Sequence, residues 1–280
     1  VRKMWPTLKL HLEWEKRNFD PDNDGLYDAY AGIWASDALQ YNSGGVTHSS
    51  AYNYRANKMA AQIAVKIGED PKPYAAEAKK ILLAINSRLW MPDKGWWAEY
   101  QDFMGNKMLH PNAAIWTVYH AIDSDIHDPF QAYQATRYVD NEIPHISVLA
   151  RGLEDENLKT VSTTNWAPYS WSINNVAFAE VGHTSLAYWQ AGRKEEAFSL
   201  FKSNVLDGMY MGGSPGNIGQ ISFYDAARGE CYRDFADPVG VYSRALVQGL
   251  FGIAPDAMNG RLVIRPGFPS EWDFASISMP

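Results

Sequence analysis

Carboxylates set among aromatic side chains are the groups in this 280-residue chain best suited to chemistry. Trp34-Ala-Ser-Asp37 puts an acid beside an indole and apolar neighbours. Such a setting raises a carboxyl pKa and suits the group to proton donation. Asp37 could instead cap a short helical turn over Ala38-Leu39. Gly95-Trp96-Trp97-Ala98-Glu99 carries a second acid within an extended aromatic phrase. There it can act as an acid, as a ligand for a sugar hydroxyl, or as a salt-bridge partner. A third group, Asp225, Glu230, Asp234 and Asp237, follows Ser222-Phe-Tyr. Arg233 lies among them, placed to pair with an acid or to bind a hydroxyl or carboxylate. Asp237 reads as the N-cap of a helix opening at Pro238, which leaves Glu230 as the acid of that loop most open to chemistry.

Other spacings carry weaker signals. Asp20-x-Asp22-x-Asp24-Gly25 matches the first half of a calcium loop, with Asp28 at a later ligand position. The twelfth position, normally a bidentate glutamate, is Ala31. A run of Asx-turns, with Gly25 supplying the bend, accounts for the same residues without an ion. No cofactor is expected beyond that calcium alternative. Glu180-x-x-His183 has a spacing seen in carboxylate metal sites, yet no second such pair exists, and a buried pair satisfied within the protein is the simpler reading. His48 and His110 are expected to open helices, where each could bind sugar or cap. Flat rings with polar tips make good sugar platforms, and the chain has 11 Trp, 16 Tyr and 11 Phe. Trp34, Tyr41, Trp96, Trp97, Trp166, Tyr169 and Trp171 are the platform candidates, with Asn174 and Asn175 nearby. Large helical cores also use many aromatics.

The elements that must position these residues alternate in a definite way. Helical periodicity is expected over Trp5–Arg17, Ser49–Ile67, Pro73–Trp90, Pro111–Ile122, Pro129–Val139, Ser172–Ala191, Lys194–Val205 and Pro238–Phe251. Short extended pieces are expected at Trp96–Tyr100, Ile218–Tyr224 and Leu262–Arg265. Long connections at about Phe19–His48, Met91–His110, Asn141–Trp171 and Asp207–Asp237 alternate with tight joins at Gly68–Asp70, Asp123–Asp128 and Gly192. In a stack of antiparallel helices every second connection lies on one face. That face then carries all the long loops, and loops above roughly 12–15 residues are usually functional. Helices two, four, six and eight would point their N-termini, with free N–H groups and partial positive charge, at it.

Composition narrows the classes. A hydrophobic share of 46% implies a sizeable core. The net charge of -7 argues against a nucleic-acid partner. No apolar run approaches the roughly 18 residues of a membrane span. The single cysteine, Cys231, excludes an internal disulfide framework. A chain opening on Val1 and closing just after a strand-like phrase is expected to be part of a longer polypeptide.

The phrases Asp22-Asn-Asp-Gly-Leu-Tyr and Gly32-Ile-Trp-Ala-Ser-Asp, the Ala-rich helix after them and the Leu-Trp-x-x-x-x-Gly stop resemble the six-hairpin glycosidases, which include glucoamylase-like and α-rhamnosidase-like enzymes. Gly249-Leu-Phe-Gly-Ile-Ala-Pro-Asp followed by Leu262-Val-Ile-Arg-Pro-Gly-Phe-Pro resembles the last helix of such an enzyme running into a β-rich appendage. The resemblance implies an all-α fold, an α/α toroid of antiparallel helix pairs with short β pieces. It spans 1–258, and an appendage begins over 259–280. A complete toroid of this type has twelve helices, so the first pairs are expected upstream of Val1. The implied activity is hydrolysis of an oligo- or polysaccharide, with inversion, by a carboxyl acid and base. The acid is expected before an early inner helix (Asp37 or Glu99) and the base before the last (Glu230). In glucoamylase-like enzymes the base stands just before an aromatic-Asp pair, and here Ser222 occupies the comparable place. Trp34, Tyr41, His48, Trp96, Trp97, His110, Trp166, Trp171, Asp225 and Arg233 are then expected to bind substrate. A periplasmic or secreted location follows from the same resemblance. A polysaccharide lyase on this scaffold and a non-catalytic glycan-binding module are the rival readings.

Overall fold

The structure is a computed structural model and describes residues 1–29, 44–148, 157–167, 173–211, 220–222 and 238–279. Among these it contains eight α-helices: α1 (Trp5–Phe19), α2 (Thr47–Ile67), α3 (Lys72–Arg88), α4 (Ile115–Asp123), α5 (Pro129–Glu142), α6 (Phe178–Gln190), α7 (Lys194–Val205) and α8 (Pro238–Arg244). α7 continues into a π-helical turn at Leu206–Met211, and α8 into another at Ala245–Leu250.

Local chemistry explains the tight joins. α2 ends where Gly68 turns left-handed at φ 78, a conformation glycine adopts without a Cβ penalty. Glu69 N–H then reaches back to Ala64 O at 2.9 Å. α6 ends the same way, with Gly192 at φ 78 and Arg193 N–H on Tyr188 O at 2.9 Å. Between α4 and α5 the left-handed residue is Asp125. Asp128 starts α5 with a capping box: its carboxylate accepts from Gln131 N–H, and the Gln131 side chain accepts from Asp128 N–H.

The helices form two layers. In the inner layer α2 packs on α4, α4 on α6, and α6 on α8. Outside them α3 lies on α2, α5 on α4 and α6, and α7 on α6. α1 closes against α2 and α3, with Trp5 edge-on to Tyr74 at 5.4 Å and Lys16 bonded to Glu77 at 2.5 Å. All nine residues of α4 are buried. The core runs along this helix through Ile115, Tyr119 and Ile122 to Trp97 and Phe178.

Short strands stitch the described parts of neighbouring long connections together. β1 (Asp28–Ala29), β2 (Gly44–Val46), β5 (Tyr100–Asp102) and β6 (Leu109–His110) make one antiparallel sheet that joins the first two loops. The second loop also holds the β3 (Trp90–Met91) and β4 (Trp96–Trp97) hairpin. β7 (His145–Ser147) pairs with β8 (Lys159–Val161) inside the third. β9 (Asn175–Ala177) pairs with β10 (Gln220–Ser222), which ties the third loop to the fourth.

The expected boundary at 258 falls in the turn between β11 (Ile253–Asp256) and β12 (Arg261–Ile264), which form a hairpin. The segment after it returns to the helices. Trp189 of α6 donates its indole N–H to Gly267 O at 2.9 Å. Its ring leaves no room for a Cβ at Gly249 or Gly267, which would meet ring atoms at 2.2 and 2.4 Å. Trp272 packs edge-on to Phe198 of α7 at 4.9 Å.

Candidate functional site

Glu99 lies between β4 and β5 and joins the starts of two inner helices. Its carboxylate accepts from Ala114 N–H at 2.9 Å, the Trp116 indole at 2.8 Å and the Thr117 hydroxyl at 2.6 Å. All three donors belong to the N-terminus of α4, whose free N–H groups and positive dipole end favour an anion. The Glu99 carbonyl accepts from Thr47 N–H at 3.1 Å, at the start of α2. Glu99 is 1% exposed. Where the sequence makes it a candidate general acid, the structure has its carboxylate bonded on both oxygens to the start of α4 and its carbonyl bonded to the start of α2. It orients Trp116, against which Trp166 stands edge-on at 5.6 Å, its own indole bonded to Asn112 O at 2.8 Å. Trp166 is half-buried.

The other described candidates divide clearly. Trp97 is fully buried against Trp90, with ring centroids 4.7 Å apart, and is a core residue that no sugar reaches. Trp96 is stacked on Tyr138 at 4.4 Å and donates to Pro111 O at 2.7 Å. His110 does not open a helix: it lies in β6, stacked on Tyr100 at 4.0 Å and 2.7 Å from Asp102. His48 is in the first turn of α2 as expected, but buried, 3.9 Å from Glu99. Burial lowers its pKa to about 4, so it is neutral at pH 7.

Glu180 and His183 are both engaged, yet not with each other. Glu180 accepts a short hydrogen bond from the Tyr119 hydroxyl. His183 turns to Asp123, 3.4 Å away. Asp123, at the C-terminal end of α4, gathers the whole inner layer. Arg55 of α2 reaches it at 2.6 Å, Gln190 of α6 at 2.9 Å, and Arg244 of α8 at 2.5 and 2.9 Å. Burial alone would raise its pKa. The bonds from His183, Arg244 and Gln190 and the Arg244 charge outweigh burial and hold it well below the carboxylate range.

The acidic repeat of the first loop is a ladder of Asx-type bonds. Asp22 accepts from Asp24 N–H at 3.4 Å, Asp24 from Leu26 N–H at 2.9 Å, and Asp20 from Gly25 N–H at 3.2 Å. The three carboxylates lie within 4.8 Å of one another. Lys80 binds Asp20 at 2.6 Å and Arg88 binds Asp24 at 2.5 Å, supplying positive charge from within the chain. Asp28 stands apart. Its pKa rises to about 6, through burial first and then through Asp22, Asp24 and Asp20. Burial also raises Asp207, at the start of the fourth loop, to about 6.

Trp34, Asp37, Tyr41, Tyr169, Trp171, Asp225, Glu230, Arg233, Asp234 and Asp237 lie outside the described residues. Sequence reasoning missed Arg55, Asp123, Arg244 and Asp207. The first three come together from separate helices and carry no shared motif; Asp207 was visible only as a loop boundary.

No family model matches the sequence, and no curated protein matches it. Solved structures do. A family GH63 mannosylglycerate hydrolase from Thermus thermophilus, in complex with Tris, aligns at TM-score 0.58 and 10% identity over 86% of this chain and 69% of its own. The same enzyme with glucose aligns at 0.54 and 13%, over 73% of this chain and 59% of its own. A GH78 family rhamnosidase of Bacillus aligns at 0.53 and 15%, over 90% of this chain and 24% of its own. This chain thus spans about a quarter of the rhamnosidase's length. At these identities the likeness concerns the fold alone, an α/α toroid.

Proposed function

We propose that this chain contributes the substrate face of a glycoside hydrolase that cleaves an oligo- or polysaccharide with inversion. The observation that carries the reading is the pairing of short strands that ties the first long connection to the second and the third to the fourth, within a fold that glycoside hydrolases share. Inversion needs one carboxyl to protonate the leaving oxygen and another to activate water, about 6.5–9.5 Å apart. With Glu99 committed to α4, the acid role falls to Asp37 and the base role to Glu230. Trp34, Tyr41, Trp166 and Trp171 would stack on the sugar rings, while Asp225 and Arg233 bind its hydroxyls. Two carboxyls and water suffice for this reaction, so no cofactor is required, and a periplasmic or secreted setting suits a glycan substrate.

A lyase reading is less well supported. It needs a tyrosine that ionises readily. Burial instead raises Tyr52 to about 12 and Tyr119 well above the usual phenol.

The test is reducing-sugar release from a glycan panel by the wild type and by Asp37→Asn and Glu230→Gln. Each substitution should lower kcat by orders of magnitude with little change in Tm. Wild-type turnover in both would refute the assignment. An unsaturated product absorbing in the ultraviolet would select the lyase, and binding without cleavage would select a glycan-binding module.

A further inference from the structure

A cavity of about 570 Å³ lies between α1 and α2, within the usual range for small-molecule sites, roughly 300–1,000 Å³. Its walls include Trp14 and Phe19 from the last turns of α1, Tyr27 and Asp28 at β1, and Tyr52 and Asn53 from the first turns of α2. α1 runs into the first long loop and α2 leaves it, so the cavity lies on the same face as the long loops.

Asp28 is the unusual wall residue. It is 7% exposed, and its backbone is fixed by pairing with Gly45. Among the described residues no hydrogen bond or ion pair reaches its carboxylate. Three other acids in this half of the fold are bonded within the chain: Glu99 to three donors, Asp20 to Lys80 and Asp24 to Arg88. The carboxylate lines the cavity and has no partner among the described residues, so a ligand that brings a donor can pair with it.

The charge of the cavity indicates which partner. Among the described residues Glu15 and Asp28 line it, and no lysine or arginine does. Glu15 has His11 beside it, at 3.7 Å. Asp20, Asp22 and Asp24 add negative potential at Asp28, countered only in part by Lys107. An ammonium group offers three donors and a positive charge, and the exposed rings of Trp14 and Tyr52 attract a cation. The same rings can stack on the C–H face of a pyranose.

We infer that this cavity is a subsite for a sugar residue carrying a free ammonium group, with Asp28 as the anion that receives it. The identification of the ligand as a sugar rests on the glycosidase reading above; the preference for a cation rests on the cavity alone.

Calorimetric titration of the chain at pH 7 with glucosamine, N-acetylglucosamine and glucose tests the inference. Glucosamine should bind saturably, about tenfold or more tighter than the other two. Asp28→Asn should remove that preference while the circular dichroism spectrum stays unchanged. Should Asp28→Asn fail to fold, Trp14→Ala on exposed α1 decides, and it should weaken glucosamine binding. Equal affinity for glucose, or unchanged glucosamine binding in the variants, overturns the subsite. The two readings fail separately. Glucosamine binding through Asp28 without any glycan cleavage sinks the hydrolase and spares the subsite. Cleavage that depends on Asp37 and Glu230, without a preference for the amine, does the reverse.

Discussion

Asp28 and Asp123 are buried to the same degree, each 7% exposed, yet their surroundings are opposite. Asp123 is held by Arg55, Arg244, His183 and Gln190, drawn from three helices. Among the described residues Asp28 meets no donor, and it shares its surroundings with other acids. Their pKa values move apart accordingly, Asp123 far down and Asp28 up to about 6. Burial therefore does not by itself give a carboxylate a role. One that is fully bonded locks elements together, and one that is left unbonded is available to a ligand. Glu99 belongs with Asp123 by this standard.

Removing the first kind should cost most. Asp123→Ala strands Arg55 and Arg244 around an empty centre, and stability should fall by about 3–5 kcal/mol in chemical denaturation. A loss no larger than that of a surface substitution would show that the inner helices hold together without this hub. Glu99→Gln comes next. It turns an acceptor into a donor facing three donors, with an expected loss of about 1–3 kcal/mol and a fall in activity that follows Tm. If activity collapsed at unchanged Tm, Glu99 would return to the chemistry.

Acid titration sharpens the comparison further. His48 has a folded pKa near 4, below its unfolded value of 6.5, so it costs stability as pH falls from 6.5 to 4. Asp28 and Asp207 have folded values near 6, above their unfolded 3.8, so they favour the folded state over nearly the same window as pH falls. His48→Asn should therefore move the acid-unfolding midpoint to lower pH. Asp28→Asn should have the smallest effect on stability: a slight gain in Tm at pH 7, where the native carboxylate is charged, and none at pH 4, where it is protonated. A marked loss at pH 7 would mean that Asp28 has a partner after all.

The sequence makes some of this plain and hides the rest. α7 begins and ends where its amphipathic pattern does, and Gly68 and Gly192 mark the tight joins. Both signals are local. α4 was expected from Pro111, yet Pro111–Ala114 stays outside the helix, and Ala114 N–H meets Glu99, a partner beyond it. α6 was expected from Ser172, but Asn175–Ala177 pairs with β10 instead. Strands of two or three residues have too little length for an alternating pattern, so most were missed. In the site, aromatic neighbours marked Glu99 as important without showing that its carboxylate would be bonded to the start of α4. Asp123 and Asp28 look alike in sequence, because their difference lies in what other helices bring to them.

The indole of Trp189 gives the C-terminal segment a shared inheritance with α6. Its ring excludes a side chain at both Gly249 and Gly267, so these three positions cannot drift independently. A lineage that replaces Trp189 with a smaller residue frees Gly249, while Gly267 stays confined by the Gly249 carbonyl, 2.7 Å from where its Cβ would stand. A lineage that keeps it must keep both. A single residue of α6 thus sets the order in which substitutions in the final segment are permitted.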